Sequence, residues 1–269
     1  MAEHHHHHHH HHHHRRSRKE RMARTAKIIA AICVPLLLIV ILFPKQLQKL
    51  GTWISGETEE LKENRHENLD YDGIDVSRYQ GKIDWQRVAT DTCVQFVYIK
   101  ATEGYTILDS MYVSNFAGAK KAGLRVGSYH YLTSGSSVTK QFQSFSHFAK
   151  AEAQDLIPMI DVEEEGVSEW TTEQLRDSLA RFVELCKAHY GKEPIIYAYA
   201  RFYNDNLAPQ FNDLHLFLSH YSEDEPVVLG AENKNLWQHS DKGIVDGIPN
   251  PVDLDVFATG TTLQDILLK

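Results

Sequence analysis

The sequence predicts an α/β fold: a single irregular (β/α) barrel with about eight strands and fewer helices, preceded by one N-terminal transmembrane helix. Three observations predict it. From Gly73 onward, short β-rich runs alternate with helical patterns, the rhythm of strands joined by crossovers. After Tyr199 the gaps between runs shrink to about a dozen residues, near the minimum for a crossover that carries its own helix, so loops are expected to close the second half. Far upstream, the stretch from Ile28 to Phe43 is free of charge and follows a strongly basic segment between Arg15 and Lys27.

Taken in order, residues 1–27 form a His-rich and basic tail. Its eleven consecutive histidines, His4 to His14, are either a purification tag or a low-complexity run that binds nickel or zinc without fixed geometry. Residues 28–44 read as a signal anchor. Sixteen charge-free residues are short against the roughly 20 that a spanning helix needs, which leaves a cleaved signal peptide as the alternative. No small-x-small cleavage site follows Phe43, which favours the anchor. The basic flank would keep the tail in the cytoplasm and send everything after Lys45 across the membrane. The expected location is therefore the cell membrane, single-pass, with the folded part on the periplasmic or extracellular face. Residues 45–70 are a polar stalk, and residues 71–269 are the folded domain.

Within that domain the expected strands are 73–76, 96–100, 125–131, 157–163, 194–199, 216–219, 236–239 and 253–257. The clearest helix lies between Thr171 and Tyr190. Thr171 and Gln174 have capping-box spacing, Leu175, Leu179, Phe182, Val183 and Cys186 form an apolar face, and Gly191 can end it. Helices over 109–122 and 138–153 fill two earlier crossovers.

Charge excludes some partners. The formal net charge of −8 conceals nine Lys/Arg against two Asp/Glu in residues 1–50, and nineteen against thirty-four in the rest. An acidic domain argues against nucleic acid and is neutral about glycans, which are held by aromatic faces and hydrogen bonds. Cys93 and Cys186 are far apart, and two buried thiols are expected rather than a bridge. No metal, nucleotide or other cofactor is implied: there is no Gly-rich phosphate loop, no Cys-x-x-Cys, and the histidines beyond the tail are scattered.

The most informative local feature is Asp161 and Glu163 at the end of the apolar run Ile157-Pro158-Met159-Ile160. Residues two apart on a strand point to one face, so the two carboxylates leave the strand side by side. Repulsion and desolvation then raise one pKa, which leaves a protonated acid beside an anion. Asp75 and Asp253 sit near other strand ends and complete a set of four carboxylates that would share the barrel mouth. Aromatic residues lie beside them. Tyr131, Tyr199 and Trp237 are the candidates for stacking on the C–H faces of sugars, while Tyr197 is read as core.

The segment Gly73-Ile74-Asp75-Val76-Ser77-Arg78-Tyr79-Gln80-Gly81-Lys82-Ile83-Asp84-Trp85 resembles the opening signature of the glycoside hydrolase family 25 lysozymes, the Chalaropsis-type N-acetylmuramidases. Further resemblances follow in the family's order: Ile99 to Gly104, Gly127 to Tyr131, Asp161-Val162-Glu163, Leu236-Trp237-Gln238 and Val252-Asp253-Leu254. The resemblance implies cleavage of the β-1,4 bond between N-acetylmuramic acid and N-acetylglucosamine in peptidoglycan glycan strands. It implies Glu163 as general acid and Asp161 as the neighbour that supports developing positive charge, either by steadying the substrate's own acetamido group or beside direct water attack. Asp75 and Asp253 match two further aspartates that shape the site. Lys100 and Glu103 are assigned to the barrel floor. The chain departs from the family pattern at His239, at Ile248-Pro249-Asn250-Pro251, and at Asp255 where asparagine is usual, which points to a differently shaped rim. A hydrolase of another N-acetylated glycan such as chitin, and a glycan-binding module without turnover, are the competing readings.

Overall fold

A computed structural model describes residues 71–230 and 236–269. The expected tail, transmembrane helix and stalk lie outside the described residues. Among the described residues no helix is long and apolar enough to cross a membrane.

Among the described residues there are nine strands: β1 (Gly73–Val76), β2 (Phe96–Glu103), β3 (Ile107–Leu108), β4 (Arg125–Tyr131), β5 (Met159–Asp161), β6 (Ile195–Tyr199), β7 (Leu216–Ser219), β8 (Leu236–Gly243) and β9 (Val252–Phe257). Their order is β1-β9-β8-β7-β6-β5-β4-β2-β3, and β1 also pairs with β2, so eight strands close a barrel. The ninth, β3, is a two-residue hairpin arm on β2. All neighbours in the barrel are parallel except β9, which runs antiparallel to both β8 and β1. Reversing β9 lets a short turn join it to β8, which removes the need for a last crossover helix.

The helices are α1 (Trp85–Val88), α2 (Tyr112–Lys121), α3 (Val138–Phe148), α4 (Glu164–Val167), α5 (Thr172–Tyr190), α6 (Ala200–Asn206) and α7 (Leu263–Ile266). The predicted capping box on α5 forms: Gln174 N–H donates to Thr171 Oγ1 at 3.2 Å and Thr171 N–H to Gln174 Oε1 at 2.9 Å. Gly191 ends the helix with φ 78° in the left-handed region, where glycine carries no Cβ penalty. Two predicted helices are shorter than expected. The second begins at Tyr112 rather than residue 109, because the Asp109 carboxylate accepts from Met111 N–H at 2.9 Å and Arg78 N–H at 3.1 Å, which fixes a turn there. The third stops at Phe148, where Ala149 leaves the helical region at ψ 71°.

Alternation along the strands divides the apolar residues into two layers. Phe96, Tyr98, Tyr129, Met159, Ile195, Tyr197, Phe217 and Leu236 fill the barrel interior, and Ile266 from α7 plugs its floor. Glycines make room for these large rings: a Cβ on Gly73 would lie 2.4 Å from the Phe96 ring, and one on Gly127 would lie 2.5 Å from that of Tyr98. The outer layer packs the helices on the barrel. There His130 stacks on Phe182 of α5 at 5.0 Å, with Thr102 Oγ1 and Gln141 Oε1 at 2.8 and 3.1 Å from its two ring nitrogens. Cys186 is buried in this layer, whereas Cys93 is exposed, contrary to the expectation that both thiols are inside.

Candidate active site

The barrel interior turns from apolar to ionisable toward the mouth. The same inward-facing rows that carry Tyr98, Met159 and Leu236 carry Lys100, Asp161 and Gln238 two residues on. There a cavity of about 330 Å³ is lined by Asp75, Asp161, Glu163 and Asp253 together with Lys100, Gln238, Asp241 and the rings of Tyr79, Tyr129, Tyr197, Tyr199 and Tyr221. The four carboxylates singled out in the sequence thus share one cavity.

Each arrives by a different local device. Asp161 ends β5, and Glu163 follows while still extended, at φ −115° and ψ 149°, before α4 begins. Extended geometry across both residues keeps the two carboxylates on one side. Asp75 is the inward residue of β1. Asp253 reaches the mouth near the start of β9, because that strand is reversed and its beginning lies beside the ends of the others. In the antiparallel ladder Asp253 stands directly opposite Asp75.

Gln238 organises the Asp75 side. Its amide donates to Asp75 Oδ2 at 2.6 Å, while its carbonyl accepts from Tyr197 Oη at 2.8 Å and Tyr221 Oη at 3.1 Å. Two hydroxyls on the oxygen and a carboxylate on the nitrogen fix the amide's orientation. Lys100 organises the other side. The ladder between β2 and β4 slips a register between Lys100 and Thr102, so Lys100 faces the mouth while Thr102 turns back to His130. The ammonium of Lys100 lies 2.8 Å from Glu103 and 4.4 Å from the centre of the Tyr131 ring.

Burial dominates the electrostatics. Asp161, only 6% exposed, has its pKa pushed well up, first by burial and then by Glu163, against the opposing pull of Lys100. Glu163 is raised by burial and by Glu165, and is opposed by Lys100 and a hydrogen bond from Tyr131. Asp75 is raised by burial and by Asp253, with Gln238 opposing. Asp253 is pushed up to about 7 by burial, Asp241 and Glu163. Crowding and burial shift all four carboxylates toward their protonated forms, the direction that general acid catalysis requires of one of them.

The three predicted aromatic contacts fall in different places. Tyr199 lines the cavity. Tyr131 does not; its ring faces the Lys100 ammonium. Trp237 does not either. Period-two alternation that turns Leu236 and Gln238 inward turns Trp237 outward, where its Nε1 donates to His220 O at 2.7 Å. Tyr197, read as core, is buried and yet lines the cavity. Lys100, assigned to the floor, is at the mouth. Sequence reasoning missed Gln238, Tyr221 and the rim residue Tyr79, which is 67% exposed. The alternation from Leu236 would have found Gln238, whereas Tyr221 lies beyond β7 and gives no periodic signal. Asp255 is not on the rim: it is fully buried beneath the site and neither carboxylate oxygen has a hydrogen-bond partner.

Comparison with known proteins agrees with this geometry. The profile of the glycosyl hydrolases family 25 matches residues 74–248. The chain is 39% identical over 189 residues to the Escherichia coli K12 protein YegX, covering 69% of this chain and 68% of that one. It is 35% identical over 188 residues to the autolytic lysozyme of Clostridium acetobutylicum, covering 70% of this chain and 56% of that one. Among solved structures, a bacterial lysozyme from Streptomyces coelicolor superposes with a TM-score of 0.67 at 28% identity, over 75% of this chain and 96% of that one. A closed eight-stranded barrel with four carboxylates at its mouth, matched over residues 74–248 by one sequence profile, makes the chain a member of the glycosyl hydrolases family 25, a glycoside hydrolase of the lysozyme type.

Proposed function

We propose that the protein is a peptidoglycan 1,4-β-N-acetylmuramidase, with Glu163 as the general acid and Asp161 as its electrostatic partner. The observation that carries this reading is the side-by-side exit of Asp161 and Glu163 into a cavity walled by tyrosines. Glu163 is the more open of the pair, so its carboxyl is placed to protonate a glycosidic oxygen arriving from solvent. Asp161 is deeper, and its Oδ1 has no hydrogen-bond partner in the protein. A substrate acetamido N–H would satisfy that oxygen, which favours the substrate-assisted route over direct water attack. Asp75, oriented by Gln238, and Asp253 maintain the field of the site, and Tyr199 offers a face to a sugar ring.

Localisation is part of the same proposal. The charge-free segment at residues 28–44, preceded by a basic tail, supports a signal anchor that keeps the domain on its own cell, a setting for wall remodelling rather than killing. The test is reducing-end release from purified sacculi by the wild-type chain beside Glu163→Gln, with product ends identified by mass spectrometry. Muramic acid reducing ends from wild type alone are expected; N-acetylglucosamine ends, or equal release by both, would reject the assignment. Digestion of chitin oligomers in parallel separates the alternative substrate.

A further inference from the structure

A second groove lies beside the catalytic cavity. Tyr199 forms one wall of that cavity and also lines a neighbouring hollow of about 570 Å³ that runs between α4 and α6. A smaller hollow of about 200 Å³ shares Glu164, Phe202 and Asn206 with it, so the two form one groove. Its lining mixes apolar and acidic side chains. Phe202 and Trp170 supply apolar wall, whereas Glu164, Glu165 and Asp205 supply carboxylates. The cation beside them, Arg201, is 3.6 Å from Asp205 and its side chain is 95% exposed. Glu164 and Glu165 have no ion-pair partner among the described residues. Acidic residues in the first turn of a helix complement its dipole, but α4 has only four residues, and the dipole gives no reason for an aromatic wall or for continuity with the cavity.

We propose that this groove holds the peptide stem of the wall strand, with the free ammonium of an uncrosslinked diamino acid beside Glu164 and the aliphatic part of the stem on Phe202 and Trp170. The proposal rests on the muramidase reading, because a stem projects from the muramic acid residue next to the bond that Glu163 would cleave. Charge complementarity selects a cation, and the shared Tyr199 wall sets the groove next to the site that would hold the sugar. An ion pair at an exposed rim contributes a factor of about two to five in affinity.

The test uses the full chain and soluble glycan fragments that carry peptide stems, either native or with their amines blocked by N-acetylation, and measures both affinity and release of reducing ends. Wild type is expected to bind the native fragments about two- to fivefold more tightly than the blocked ones, and Glu164→Gln to lose that difference. Equal affinity of wild type for both, or an undiminished difference in Glu164→Gln, would overturn the proposal. Fragments stripped of peptide give the third arm: if N-acetylation weakens their binding too, the amine recognised belongs to deacetylated sugar and the stem assignment fails. Release of muramic acid ends without an affinity difference would overturn the groove assignment alone, whereas an affinity difference without such release would overturn the muramidase reading on which that assignment rests.

Discussion

Asp75 and Asp253 oppose each other directly across the ladder where β9 closes on β1. Like charges at such a position destabilise a sheet, so the pair must share protons or weaken the closure. Asp253 has its pKa raised from 3.8 to about 7, so the stability it contributes is fully present below pH 3.8 and is lost as pH rises through 7. By linkage this loss is on the order of 4 kcal/mol. Asp253→Asn should therefore raise the melting temperature at pH 8 and change it little at pH 4, while reducing turnover. Burial, Asp241 and Glu163 are the causes of that rise, so thermal unfolding at the two pH values checks the cost of ionising Asp253 in its site; an equal shift at both would mean that this ionisation costs the fold nothing.

Asp255 provides the same contrast away from the reacting groups. Its pKa is pushed well up by burial, then by Asp75 and Asp253, so its ionisation also opposes folding as pH rises. Asp255→Asn removes the charge and keeps the shape. Its stability advantage over wild type should grow as pH rises above the ordinary carboxylate range, as measured by denaturant midpoints.

His130 acts in the opposite direction. Burial lowers its pKa from 6.5 to about 4, so the unfolded chain takes up a proton at that position before the folded one does. Stability present above pH 6.5 is lost as pH falls toward 4, by about 3 kcal/mol. In His130→Gln the acid limb of the stability profile should flatten even if the plateau drops, and an unchanged slope would show that other groups govern it.

Glu163→Gln removes the proposed proton donor but keeps the side chain's volume. Its kcat should fall by about 10²- to 10⁴-fold with no loss of melting temperature. A fall below tenfold would assign the acid elsewhere.

Lys100→Met tests the only cation lining the cavity among the described residues. Lys100 lowers the pKa of both Asp161 and Glu163, so its removal raises both. Activity that depends on protonated Glu163 fades as pH rises through that pKa, and the alkaline limb of the kcat/KM profile should move to higher pH. Movement to lower pH would exclude this role.

What the sequence revealed, and what it did not, follows from period and register. The eight barrel strands and the Asp161/Glu163 pair were legible because alternation and a strand exit are local properties. Asp253 was found for an incomplete reason: its acid near a strand end was visible, but the reversal of β9 that brings that end to the mouth is a property of the closed sheet. Lys100 shares the inward parity of Tyr98, so alternation already pointed it to the mouth, whereas the slip after it, which turns Thr102 back toward His130, leaves no mark in sequence. Trp237 was misplaced because its chemistry was weighed above its parity with Leu236, and parity assigns the inward position to Gln238.

The floor of the barrel has a consequence for handling the protein. Gly73 begins β1 at the end where Phe96 and Arg125 begin β2 and β4, and α7 follows the end of β9 at that same face, where Ile157 N–H donates to Ile266 O at 2.9 Å. Both ends of the domain therefore emerge opposite the cavity. Immobilisation on a bead, fusion to a reporter, or tethering to any surface through either end would leave the mouth pointing outward, so attachment and access to a large insoluble substrate do not compete.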